Sequence, residues 1–370
     1  MKKNILIIDD SALMRRVLSD IINSDERFQA AEVAVNGLEG LNLLQSRARD
    51  FDAVLLDINM PKMNGLELLE QLRKQGIKAT VIIVSTIAKQ DAQETIRALE
   101  LGAFDFVTKP ESYMEVKSNS FSDRLLECLS IALKAEAVAA VKPTRGEEKE
   151  PPRPDTGRTL TVMEMVRTAA SQKSSRNADK LVALACSTGG PKALHTVLPN
   201  LPANLDAGIL VVQHMPGGFT KSLADRLNEL SSLKVKEAED GDILTKGTVY
   251  IAKGGYQMRL KKREDHTYCI SVTKEPARHG LLPCADIMYE SLVGSDFEEI
   301  TCVVLTGMGG DGTAGIKQLR KRQNIYVIAQ DEETSVVYGM PKVVKDAGLV
   351  DEVAALSQVP DAIIKNVGVR

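Results

Sequence analysis

Nowhere in the 370 residues does an apolar run approach the roughly 20 residues that a membrane-spanning helix needs. Charge of one sign is also missing. Forty-seven basic residues stand against 50 acidic ones, a formal net of −3, which leaves no electrostatic footprint for gripping nucleic acid or an anionic membrane. Cysteine is sparse: five residues, no C-x-x-C pair, most of them in apolar runs. That pattern suits a reducing cytosol better than a disulfide framework. No leader is expected either, because the apolar stretch of MKKNILIIDD runs at once into acidic residues without a cleavage-like segment. It reads as a first strand. Collagen-like and disordered classes are excluded by a composition that is 44% hydrophobic and 26% charged. What remains is a globular chain too long for one core, so two domains are expected.

Apolar strand-like runs alternate with amphipathic ones through the first third: Ile5–Ile8, a weaker Ala31–Val35, Ala53–Leu56, Thr80–Val84 and Phe104–Val107. Between them, stretches such as Leu13–Ile22 and Gly65–Lys74 carry apolar residues at three- and four-residue intervals. This alternation predicts a doubly wound, five-stranded parallel α/β domain. Residues 142–158, KPTRGEEKEPPRPDTGR, then combine proline, glycine and dense charge with almost no large apolar side chains. Such a segment cannot bury enough surface to order itself, so it reads as a linker. The expected division is a first domain over 1–133, a linker over 134–176 and a second domain over 177–370. From Leu181 a second α/β series follows, with strand-like Leu181–Cys186, Ile209–Val212, Thr248–Ala252, Cys302–Leu305 and Ile325–Ala329, predicting a mostly parallel sheet. No internal repeat interrupts it.

Ligands of a parallel sheet gather at the carboxyl ends of its strands. Asp9 and Asp10 end the first strand and Asp57 the third; Ser85 and Thr86 follow the fourth and Lys109 the fifth. Acidic residues at strand ends commonly cap helices, but this convergence from four strand ends is a different matter. Three crowded carboxylates repel one another, and a hard, oxygen-liganded Mg²⁺ would hold them ionised. A carboxylate oxygen there can attack a phosphoryl group while the ion and the Lys109 ammonium balance the charge. Through IIDDSALMRRVL, LLDINMPKMNGLELL, VIIVST and GAFDFVTKP, residues 1 to about 120 resemble the response-regulator receiver family. The resemblance implies a flavodoxin-like fold, Asp57 as phosphoacceptor and Asp10 as a direct metal ligand. It also implies Asp9 acting through water, the backbone carbonyl of Asn59 as a further ligand, and Ser85, Phe106 and Lys109 as the switch residues.

In the second domain, Leu181–Cys186 runs into Ser187-Thr188-Gly189-Gly190-Pro191 and then the helix-like KALHTVL. A serine between strand and helix is exposed at the sheet's carboxyl edge, where helix-terminal N–H groups oppose developing negative charge. The pattern only half meets G-x-S-x-G, since Ala185 stands where the first glycine would be. Taken alone it is as well a helix start or a phosphate-binding turn. Of four histidines, His195 falls within the helix after Ser187, His266 in a polar hairpin-like stretch and His279 in a loop. His214 directly follows the strand GILVVQ, at the same edge as Ser187. Asp311 lies in TGMGGDG after a third strand, placing an acid where it can orient the histidine. Backbone N–H groups around Gly307 and Met308 are candidates for an oxyanion hole.

The same loop supports a rival. Gly307, Gly309 and Gly312 spell G-x-G-x-x-G between a strand and a helix, and Asp331 follows at about the separation of a ribose-binding acid. Against it, Asp311 puts a carboxylate where an anionic pyrophosphate would sit. The rival also leaves the Ser187 and His214 loops unexplained.

ACSTGGPKAL, VVQHMPGGFT, GTVYIAKGG, VVLTGMGGDGTAGI and SVVYGMPKVV together resemble the protein-glutamate methylesterase/deamidase (CheB) family of bacterial chemotaxis. With the receiver and linker, the resemblance spans nearly the whole chain. It implies Ser187, His214 and Asp311 as the triad, Thr188 supporting the histidine and Met308 near the oxyanion. It further implies a phosphorylation-activated, cytoplasmic, monomeric enzyme whose partners are a histidine kinase as phosphodonor and methylated chemoreceptors, with no cofactor for the esterase. The chain departs from the family pattern at Cys186, Gly217, Gln257 and RHGLLPCAD, which alter the substrate-facing rim more than the triad. Cys186, at the last position of its strand, is expected to point away from Ser187 and pack.

Overall fold

The computed structural model describes residues 2–86, 88–110, 120–140 and 180–370. The expected linker lies outside the described residues from 141 onward; before it, a helix runs on to Ala140.

The first domain contains β1 (Lys3–Ile8), α1 (Ala12–Ser24), β2 (Phe28–Ala34), α2 (Gly37–Arg47), β3 (Ala53–Leu56), α3 (Gly65–Gln75), β4 (Val81–Ser85), α4 (Lys89–Glu100), β5 (Asp105–Thr108) and α5 (Ser120–Ala140). Its strands pair in parallel in the order β2-β1-β3-β4-β5. This is a doubly wound order with its functional edge at the β1/β3 carboxyl ends. Ile5–Ile8 and Ala53–Leu56 are buried throughout because helices cover both faces of the sheet. β2 lies at the sheet's edge and buries only its two ends, so its apolar signal is diluted, and it begins at Phe28 rather than at the expected Ala31.

The second domain runs β6 (Lys180–Cys186), α6 (Gly190–Val197), β7 (Ala207–Gln213), α7 (Phe219–Leu230), β8 (Lys234–Glu237), β9 (Thr248–Ile251), β10 (Gln257–Lys262), β11 (Tyr268–Thr273), α8 (Ala285–Ser291), β12 (Glu299–Val304), α9 (Thr313–Arg320), β13 (Ile325–Gln330), α10 (Met340–Asp346), β14 (Glu352–Ala354) and α11 (Val359–Val367). Seven strands form one sheet in the order β14-β13-β12-β6-β7-β9-β8, every pairing parallel. The antiparallel hairpin β10–β11 stands apart from it. From β6 the chain winds outward through β7, then returns to β6's other side at β12. Strand order therefore reverses around β6, and the crevice at such a reversal is where parallel sheets place their ligands. β6 and β7 are almost wholly buried and form the centre of the core.

Candidate active site and receiver pocket

Cys186 and Gln213 are register partners on β6 and β7, and the ladder closes with the His214 amide donating to the Cys186 carbonyl at 3.1 Å. Ser187 and His214 therefore leave the sheet side by side. The Ser187 amide donates to the Thr306 carbonyl at 3.0 Å, tying the serine to the exit of β12 on its other flank. Two glycines make the turn possible: Gly189 sits at φ +77°, and a Cβ on Gly190 would fall 2.0 Å from Gln213 Oε1. Pro191 then occupies the first turn of α6, as its missing N–H and fixed φ favour.

His214 Nε2 lies 2.8 Å from Asp311 Oδ2, with both side chains largely buried. Asp311 is held on all sides. Its oxygens accept from the amides of Ala285 (2.6 Å), Asp286 (3.0 Å) and Gly312 (3.0 Å) and from the Cys284 thiol (3.1 Å). Burial alone would raise this carboxyl, but the His214 bond and the α8 amides outweigh it and hold Asp311 well below the usual carboxylate range. The aspartate thus stays ionised, and it fixes the ring by its Nε2 edge.

Ser187, His214 and Asp311 line one cleft of about 870 Å³, together with Thr188, Met308 and His279. The Ser187 hydroxyl makes no hydrogen bond among the described residues. Thr188 and, from the first domain, Asp105 line the same cleft. Gly307 is not a free oxyanion donor, because its amide is committed to the Val337 carbonyl at 3.0 Å. The Met308 amide has no acceptor among the described residues, and its side chain is exposed at the cleft mouth. His266 occupies the β10–β11 turn, and His195 faces the other domain.

The rival dinucleotide fingerprint does not survive this geometry. Asp311 fills the glycine loop as the partner of His214 and of the α8 amides, while Asp331 accepts from the Thr334 amide at 3.0 Å to cap its own turn.

In the first domain, carboxylate oxygens of Asp9, Asp10 and Asp57 lie within 4.8 Å of one another. The Lys109 ammonium bridges two of them, 3.0 Å from Asp9 Oδ2 and 2.9 Å from Asp57 Oδ2. Burial raises the Asp57 carboxyl despite that ammonium. Such a set of hard oxygen donors fits a small divalent cation. The Asn59 side chain donates to Asp91 at 2.8 Å, so its backbone carbonyl is the group left for a ligand. Ser85 is buried and accepts from the Thr95 hydroxyl at 2.8 Å rather than reaching towards Asp57.

The two domains meet over the cleft. Phe106 packs on Phe219, and Glu100 receives Arg226 through Nε (2.7 Å) and Nη2 (3.1 Å), with His195 Nε2 3.0 Å away. Asp105, Arg124, Glu127, Cys128 and Ile131 of the first domain line the same cleft as Ser187. Sequence reasoning missed Glu100, Asp105 and Arg226, whose side chains meet their partners only after docking.

Residues 182–363 match the family model described as CheB methylesterase, and residues 5–119 that of the response regulator receiver domain. The chain is 38% identical over 367 residues to protein-glutamate methylesterase/protein-glutamine glutaminase 1 of Syntrophomonas wolfei, covering 98% of this chain and 99% of that one. It is 40% identical over 366 residues to the Pyrococcus abyssi protein of that name, covering 99% and 94%. Among solved structures, the CheB methylesterase catalytic domain of Thermotoga maritima is similar at 41% identity and a TM-score of 0.50, covering 52% of this chain and 100% of that one.

Proposed function

This chain belongs to the CheB methylesterase family with a receiver domain ahead of the catalytic one, and from that premise we propose how its residues divide the work. The activity is that of a protein-glutamate methylesterase and protein-glutamine glutaminase, a carboxylic ester hydrolase regulated through phosphorylation. We assign residues 1–133 to the receiver, 134–176 to the linker and 177–370 to the catalytic domain.

The observation that carries the mechanism is the 2.8 Å bond between His214 Nε2 and Asp311 at the strand ends flanking Ser187. With Nε2–H given to the carboxylate, Nδ1 is the basic nitrogen left to take the Ser187 proton. Ser187 Oγ attacks the ester carbonyl, and the tetrahedral oxyanion forms towards the Met308 amide. His214 returns its proton to the leaving methanol, and water then hydrolyses the acyl-enzyme by the same route in reverse. A glutamine side chain follows the same course, with ammonia leaving.

The receiver regulates by occupying the cleft mouth, where Asp105 lines the cleft opposite the catalytic domain. Phosphorylation of Asp57 draws in Ser85, relocates Phe106 and weakens its packing on Phe219. A Mg²⁺ ion bound by Asp10, Asp57 and the Asn59 carbonyl, with Asp9 acting through water, would supply the positive charge that phosphoryl transfer requires. The phosphodonor is a histidine kinase and the substrates are methylated cytoplasmic domains of chemoreceptors; the enzyme is a cytoplasmic monomer that binds no nucleic acid. No helix among the described residues is long and apolar enough to cross a membrane. The decisive assay is methanol release from methylated receptor membranes with a small phosphodonor and Mg²⁺. Release by the parent and none by Ser187→Ala is expected; release by neither overturns the assignment.

A further inference from the structure

Gln213 ends β7 with its side chain 2% exposed, so every polar atom of its amide needs a partner. All are supplied. Nε2 donates to the Ser187 carbonyl at 2.9 Å and to the His214 carbonyl at 3.1 Å. Oε1 accepts from the Cys186 thiol at 3.0 Å. The two carbonyls can only accept and the thiol can donate, so this network permits one orientation of the amide.

We infer that Gln213, oriented by Cys186, is a positioning clamp that sets the approach of the Ser187 hydroxyl to His214. This inference rests on the esterase reading above. Among the described residues, Gln213 is the one side chain hydrogen-bonded to both the nucleophile's and the base's residue. Ser187 and His214 make no direct bond to each other, and the ladder ends at the His214 amide. Beyond that point the relative position of the two loops is set by what ties their carbonyls together. The clamp also accounts for Gly190: any side chain there would meet Gln213 Oε1, displacing the amide and releasing both loops. Cys186 therefore does more than fill space. Its thiol, held well above the ordinary thiol range by burial, serves as a donor to the Gln213 amide rather than as a nucleophile.

A clamp on reactive geometry acts on kcat, whereas a role confined to core packing acts on stability. The test uses the full-length, phosphodonor-treated protein and two readouts: methanol release, and the rate at which a fluorophosphonate probe labels Ser187. Gln213→Leu keeps the volume and removes the amide. Its kcat and labelling rate are expected to fall on the order of 10- to 100-fold while KM changes less than about twofold. Gln213→Met is the second variant should the branched side chain prevent folding. Cys186→Ala should lower kcat less than Gln213→Leu does, and Cys186→Ser, which keeps a donor, should restore it. Within Gln213→Leu the Cys186→Ala change should have no further effect, since the two act through one amide. Folded Gln213→Leu or Gln213→Met protein labelled at the parental rate overturns the clamp, as does additivity in the double variant. A parent that is itself unlabelled at Ser187 overturns the esterase reading, and the clamp with it.

Discussion

Phe106 of the receiver lies ring to ring with Phe219 of the catalytic domain, centroids 4.5 Å apart and planes 33° from parallel. One partner is the aromatic proposed above to relocate on phosphorylation; the other begins the helix just after the His214 loop. An aromatic pair contributes about 0.5–1.5 kcal/mol beyond the area it buries. Phe106→Ala should therefore shift the domains apart and raise methanol release without phosphodonor by about 2- to 10-fold. The further stimulation by phosphodonor should shrink to match. A basal rate equal to the parent's would show that the contact does not restrain the enzyme.

The switch residues predict a second separation. Asp57→Asn removes the proposed phosphoacceptor while leaving the Phe106–Phe219 contact alone. Phosphodonor should then fail to stimulate, with the basal rate within about twofold of the parent because Ser187, His214 and Asp311 are untouched. Chelating Mg²⁺ from the parent should give the same pattern, stimulation lost and basal turnover kept. Loss of basal turnover on chelation would place a metal in the esterase chemistry itself.

Ser187 and His214 stood out in the sequence because each directly follows a buried strand, and Asp311 because it lies in the glycine-rich loop after a third; parallel strands deliver such loops to one edge. β8 and β14 were not, since they lie at the sheet's edges, where KVKE and EVA bury too little to leave an apolar signature. The oxyanion expectation for Gly307 failed because the Val337 carbonyl, 30 residues onward, competes for that amide. Cys186 is fully buried at the end of its strand. Its thiol–amide bond depended on the register of β6 against β7, which no single strand encodes.

Asp105, which lines the cleft facing the catalytic domain, should make docking sensitive to acid. Burial pushes the Asp105 carboxyl up to about 6, against the lowering effect of the Phe106 amide, the Thr188 hydroxyl and Arg124. Away from the catalytic domain the carboxyl relaxes towards about 3.9. A group raised in the docked state stabilises docking fully below its undocked value and loses that contribution as pH rises through its docked value. Docking should thus be tightest near pH 4 and weaken up to about pH 6. Asp105→Asn keeps a neutral side chain at every pH. The ratio of parental to Asp105→Asn basal rate should start near one in acid and climb to a plateau by neutral pH, a few-fold at most since Asp105 is only partly buried. His195, lowered mainly by burial beside Glu100, titrates in the opposite sense but cancels in this ratio. A ratio flat across the range would separate Asp105 from the regulation.

Asp311 has two duties, and acid should separate them. It holds the His214 ring, and it satisfies the first amides of α8 together with the Cys284 thiol. Asp311→Asn should lower kcat on the order of 10³- to 10⁴-fold, the loss seen when a triad histidine is left with the wrong tautomer. It should also lower the stability of the catalytic domain by about 1–3 kcal/mol at neutral pH, because buried donors lose a charged acceptor. Since Asp311 is held below the usual carboxylate range, its contribution is fully present above the unfolded value near 3.9 and is lost as pH falls towards the folded one. Urea unfolding of parent and variant should show a constant gap from about pH 5 upwards and a closing gap below about pH 4. A gap that persists undiminished in acid would mean the aspartate stabilises the fold through its shape and not its charge. The catalytic loss at neutral pH would then have to be explained by the ring orientation alone.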